Sequence, residues 1–132
     1  MMGHELARAA VELLGTPFRL FGRNPATGLD CIGLVHVSLE RVGRTPIPPV
    51  GYELRNSRYE HWLEHAQKSG LTNTQGEILP GDVVLTLPGP GQQHLMIVET
   101  ATSAIHAHAG LRTIVRQPVG NWADVARRWR LV

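Results

Sequence analysis

Of all the side chains here, Cys31 is the natural starting point for chemistry, because it is the only cysteine and stands at the start of an apolar helical run. Ile32, Val35, Leu39 and Val42 recur at three-to-four spacing, which predicts a helix with Asp30 as its N-cap and Cys31 in its first turn. Unpaired N–H groups and the positive end of the helix dipole favour a thiolate there, while the Asp30 charge opposes it unless capping absorbs the carboxylate. A lone cysteine in that position is otherwise a small buried hydrophobe. A nucleophilic cysteine needs a base within reach and a third group to orient that base. His94 lies in Gln93-His94-Leu95-Met96-Ile97-Val98 and shares a strand face with Met96 and Val98; His106 lies in Ala104-Ile105-His106-Ala107-His108. Neighbouring antiparallel strands would place His94 and His106 side by side, and a helix packed across the sheet would present Cys31 to His94. A structural role for the strand histidines is one competing reading. Zinc ligation by His106 and His108 with His94 or Cys31 is another, although no C-x-x-C or H-E-x-x-H pattern accompanies them. His4, His36, His61 and His65 read as solvated helix residues.

The elements that must hold these groups follow from the chain order. A helix is expected over 4–14, stopped by Gly15. A compact loop rich in Gly, Pro and Asn spans 18–29, and the Cys31 helix ends near Gly43. Pro46, Pro48 and Pro49 give an extended stretch through Tyr52 that can wall a groove. Ser57 with Glu60 is a capping box opening a helix that closes at Gly70. Leu79-Pro80-Gly81-Asp82 then feeds a series of short β-type runs ending in a strand from Trp129. Helices gathered in the first half and a β-meander in the second predict an α+β architecture, with the helices on one side of an antiparallel sheet or half-barrel.

A length of 132 residues with 42% hydrophobic composition reads as one domain, 1–132, able to bury its own core. The balance of 13 Lys plus Arg against 11 Asp plus Glu gives nucleic-acid binding little support. Arg127, Arg128 and Arg130 read as a solvated strand edge, and Arg19 and Arg23 as solvated surface. One cysteine excludes an internal disulfide. No signal peptide or membrane-spanning run is visible, so synthesis in the cytoplasm is the expectation.

Leu14-Gly15-Thr16-Pro17-Phe18-Arg19-Leu20-Phe21-Gly22, Gly28-Leu29-Asp30-Cys31-Ile32-Gly33-Leu34-Val35, Leu79-Pro80-Gly81-Asp82, His94-Leu95-Met96-Ile97-Val98 and Ile105-His106-Ala107 resemble, in order and spacing, the signatures of the NlpC-type papain-like cell-wall cysteine peptidases. The resemblance implies a papain-like fold, Cys31 as nucleophile, His94 as general base and His106 as its orienter. It also implies peptidoglycan stem peptides as substrate, often cut between D-glutamate and diaminopimelate, and no metal or cofactor. The missing signal sequence, the single-domain length and the ending from Trp122 through Trp129-Arg130 look most like the phage-tail branch, whose partners are tail or tail-like particle proteins. Two residues depart from the pattern. Phe18 stands where the family usually has a tyrosine whose phenol helps the Cys31 N–H hold the oxyanion, and losing one such donor costs about 10²- to 10³-fold in turnover unless Tyr52 or a backbone N–H replaces it. Ile32 replaces a small residue and is expected to narrow the cleft. The alternatives from these departures are a weakened wall-binding component of a phage-derived tail, or an acyl transferase.

Overall fold

The computed structural model describes residues 2–46, 66, 68–87 and 94–131. In chain order they form α1 (Met2–Val11), β1 (Arg23–Asn24), β2 (Gly28–Leu29), α2 (Cys31–Arg41), β3 (Leu71–Asn73), β4 (Val83–Thr86), β5 (His94–Thr100), β6 (Ser103–His108), β7 (Thr113–Pro118) and β8 (Val125–Leu131). β1 and β2 make a small hairpin inside the segment expected to be loop; the other six strands form one sheet in the order β3-β8-β4-β5-β6-β7, antiparallel throughout. The α+β architecture expected from the sequence is present. Tyr52, Pro48, Pro49 and the Ser57 capping box lie outside the described residues.

The two-residue period of the strands divides the sheet into two apolar faces. Val83, Leu85, Leu95, Ile97, Ile105, Ala107, Trp129 and Leu131 join Leu6, Ala10 and Leu13 from the α1 segment and Ile32, Leu34, Val35 and Leu39 of α2 in the main core. Val84, Met96, Val98 and Ala104 pack on the other side with Ile78, Val119, Trp122 and Val125. Parity therefore decides that His94 and His106, in step with Met96 and Ala104, belong to the face away from the helices.

β8 runs between β3 and β4, so the arginine cluster is not a solvated edge. Arg130 donates from Nε and Nη2 to the two carboxylate oxygens of Asp82 at 2.7 and 2.9 Å. Asp82 is fully buried, and its Oδ2 also accepts the Leu79 N–H at 3.0 Å. Such a bidentate pair holds orientation as well as charge. It locks the turn that launches β4, against which β5 is paired.

The start of α2 is packed backbone to backbone. A Cβ at Gly33 would collide with the Gly22 carbonyl oxygen, and one at Gly22 with the Gly28 carbonyl oxygen. At the other end, Gly43 takes φ +86°, and the Gly43 and Arg44 N–H groups bond the Glu40 and Leu39 carbonyls, each at 3.0 Å, a Schellman closure. Gly33→Ala is expected to cost about 1–3 kcal/mol because backbone, not a flexible side chain, must yield. Gly120→Ala, whose Cβ meets nothing within 4 Å, is expected to stay within about 0.5 kcal/mol of wild type. Urea midpoints check this, and equal effects of the two would contradict it.

Candidate active site

Asp30 is the N-cap of α2: its Oδ1 accepts the Gly33 N–H at 2.8 Å. Its Oδ2 accepts the Phe21 N–H at 2.8 Å, and Arg23 Nη1 lies 3.2 Å from Oδ1. Arg23 is thus an ion-pair partner of the cap rather than solvated surface. Phe21 donates from the left-handed region, φ 62°, a conformation that costs a non-glycine residue about 1–3 kcal/mol and is retained where the surroundings demand it. Leu29 N–H to Pro17 carbonyl at 2.8 Å, Arg19 N–H to Leu29 carbonyl at 3.2 Å and Phe18 N–H to Arg112 carbonyl at 2.9 Å tie this segment to the β6–β7 turn.

Cys31 is the first residue of α2, as the apolar spacing predicts, but its thiol is not activated at rest. Burial first, and then the Asp30 carboxylate, push it up to about 11, against the pull of the Leu95, Ile32 and Cys31 backbone N–H groups. The helix start alone would have lowered it; desolvation of the sulfur in the core edge outweighs a few N–H dipoles. Capping and Arg23 therefore do not fully absorb the Asp30 charge.

The Leu95 N–H is available to the sulfur for a reason of strand geometry. Val98 N–H bonds the Asp82 carbonyl and the His94 carbonyl accepts from Thr86 Oγ1, so the even-numbered residues of β5 face β4 and the odd-numbered ones face β6. β5 and β6 pair from Thr100↔Ser103 only as far as Ile97↔Ile105. Beyond that point His94 and Leu95 stay with β4, while His106 to His108 stay with β7. Leu95 therefore points its N–H into the parting between the strands. Cys31 does not face the histidines across the helix-packed sheet face; it reaches β5 at this parted end, at the residue next to His94.

His94 and His106 come together with ring centroids 6.4 Å apart in an edge-on arrangement. They are diagonal, not directly opposed: continuing the Ile97↔Ile105 register sets Met96 opposite His106 and His108 opposite His94. The His108 ring lies 5.5 Å from that of His106, and its Nδ1 accepts the Leu111 N–H at 3.0 Å. Burial holds both His94 and His106 below the usual histidine range, with His108 adding to the effect; His106 falls to about 4, although Gln117 favours its protonated form. The three histidines line a groove of about 510 Å³ with Gln117, Trp122 and Asp124; Cys31 is not among its lining residues.

Phe18 and Cys31 are both half-buried against the main core, and Ile32 is buried within that core. The bulk of Ile32 is thus taken up by the core rather than by a cleft. Sequence reading missed Gln117, gave His108 only as an alternative zinc ligand and read Arg23 as solvated surface. Arg23 carries no local signal, since its partner is seven residues away, and only the β6–β7 register brings Gln117 to the histidines. Among the described residues, no three His, Cys, Asp or Glu side chains converge as metal ligands, and no helix is long and apolar enough to cross a membrane.

In chain order these parts are a cysteine on a capped helix followed by histidines on two successive antiparallel strands, in an α+β fold. Residues 15–128 match the NlpC/P60 family, and the chain belongs to that family. Its fold is similar to that of NlpC1 from Trichomonas vaginalis, with TM-score 0.70 at 18% identity over 98% of this chain and 44% of that one. It is also similar to the NlpC/p60 domain of the peptidoglycan hydrolase SagA, with TM-score 0.62, 23% identity and 96% of each chain covered. The peptidoglycan hydrolase RipB from Mycobacterium tuberculosis gives 0.62 at 19% identity over 97% of this chain and 63% of that one. The chain spans less than half the length of the first three structures it resembles. No curated protein matches it.

Two outcomes follow. Asp30→Asn keeps a capping oxygen but removes the charge beside the sulfur, so the midpoint of iodoacetamide reactivity against pH is expected to move down; an unchanged or higher midpoint contradicts this. His106, ordinarily near pKa 6.5 when unfolded, is lowered to about 4 when folded. As pH falls below about 6.5 the unfolded chain takes the proton first, so stability declines until about pH 4 and then stops depending on this group. The urea midpoint of His106→Asn is expected to fall less than that of wild type over this interval, and equal slopes would contradict it.

Proposed function

We propose that the chain is a cysteine peptidase cleaving amide bonds in peptidoglycan stem peptides through an acyl-enzyme on Cys31. His94 is the general base and acid, and His106 orients it. The observation that carries this reading is the parted end of β5 and β6, where the Leu95 N–H acts on the Cys31 sulfur one residue along the strand from His94, whose ring neighbours that of His106. At rest the pair is neutral, a raised thiol and a lowered imidazole. His94 therefore takes the thiol proton as the sulfur attacks the carbonyl carbon, rather than beforehand. The S–C bond forms, the C–N bond breaks and the proton passes from His94 to the departing amine. Water then gives a proton to His94, its oxygen displaces the sulfur, and the proton returns to Cys31.

The D-glutamate to diaminopimelate bond is the one we assign, on the family resemblance and on SagA and RipB being peptidoglycan hydrolases. Action at the cell wall from a phage tail or tail-like particle is the finer reading; it rests on the sequence resemblance alone. The absent phenol at Phe18 and the raised thiol favour a second reading, a weakened wall-binding component. Acyl transfer to an added amine is the third outcome that product analysis separates.

Wild type is expected to release new amine termini from purified peptidoglycan, and Cys31→Ala to lose this by at least about 10³-fold. Equal product release from the two would sink the hydrolase reading, and binding without release by wild type would leave the wall-binding one.

A further inference from the structure

Resting on the stem-peptide reading of the site, we propose that His108 is a substrate-binding residue, its Nε2–H donating to an amide carbonyl oxygen of a peptide lying in the groove. By strand parity His108 shares the sheet face of His106, and with His94 and His106 it lines the groove. Its ring lies 5.5 Å from that of His106. The continued Ile97↔Ile105 register sets it opposite His94 where the strands part. It is therefore the groove residue across the parting from the proposed base.

The turn between β6 and β7 fixes which edge of the ring is offered. The Leu111 N–H donates to His108 Nδ1 at 3.0 Å, so the neutral ring carries its hydrogen on Nε2. A Cβ at Gly110 would come within 3.1 Å of Cε1 and 3.4 Å of Nδ1, so this edge of the ring is packed on the turn. Nε2 has no hydrogen-bond partner among the described residues and, unlike both nitrogens of His106, is not enclosed. It is a donor left open. The turn itself is anchored on the cysteine side of the site. Phe18 N–H bonds the Arg112 carbonyl at 2.9 Å, while Ile114 N–H and Thr113 Oγ1 donate to the Thr16 carbonyl at 2.9 and 3.1 Å. A donor whose ring and turn are already fixed loses little freedom when a ligand arrives. No Lys or Arg lines the groove, whereas Asp124 does. In a groove with a carboxylate and no such cation, a neutral N–H suits an amide carbonyl rather than an anion.

The test separates the donor from the packing of the ring. His108→Asn keeps an acceptor for the Leu111 N–H at the place of Nδ1 but removes the donor at the place of Nε2, whereas His108→Gln keeps a donor there. On a stem-peptide substrate, His108→Asn is expected to raise KM about 3- to 10-fold, the range of one lost hydrogen bond, with kcat little changed. His108→Gln is expected to restore most of the wild-type KM. Calorimetry with the Cys31→Ala chain reads binding without turnover: adding His108→Asn is expected to weaken the Kd of the same peptide by the same factor. A peptide whose carboxylates are amidated is expected to show the same ratio. Equal KM and Kd with and without His108→Asn overturn the proposal, as do a loss confined to kcat, a His108→Gln as weak as His108→Asn, or a ratio confined to the carboxylate-bearing peptide. If wild type binds the peptide without cleaving it, a weaker Kd with His108→Asn upholds the contact and removes the hydrolase reading instead.

Discussion

The Asp30 carboxylate is the interaction on which the rest of the site depends. By accepting the Gly33 and Phe21 N–H groups and meeting Arg23, it ends the loop, starts α2 and sets the direction in which Cys31 leaves the backbone. The same charge raises the thiol it positions. Geometry and reactivity are therefore opposed in one residue. On the proposed mechanism a sulfur held as thiol gives its proton to an imidazole, and burial lowers His94 below the usual histidine range.

The second constraint is the strand pairing. A continuous β5–β6 ladder would have used the Leu95 N–H on the β6 backbone and closed the way between the two faces of the sheet. Because pairing stops at Ile97↔Ile105, the Leu95 N–H is left for the Cys31 sulfur at the strand ends, one residue from His94. The Asp82–Arg130 pair and the close contact of Gly81 with the Gly3 carbonyl hold β4 at the register that keeps His94 there. Support for the site is thus spread from α1 to β8.

Much of this was legible in the chain. The cap at Asp30, the helix from Cys31, the stop near Gly43 and the strands around His94 and His106 all follow from local patterns of capping, period and turn residues, which depend on neighbours a few positions away, whereas the first helix ends at Val11, short of the Gly15 stop expected for it. Two expectations gave way for the opposite reason. Arg127 to Arg130 look like a solvated edge until β3 pairs with β8 and Asp82 arrives from 48 residues away. His94 and His106 look directly opposed until the register offsets them by one diagonal step.

The sequence by itself determined which residues are candidates for chemistry and the order in which they come, because residue type, alternation and capping are local properties of the chain. Tertiary structure alone decided where each of them sits. Which sheet face the helices cover, where a ladder stops, whether a thiol is buried beside a carboxylate and which side chains line the groove around His106 all depend on contacts between distant segments, and a local pattern encodes none of these.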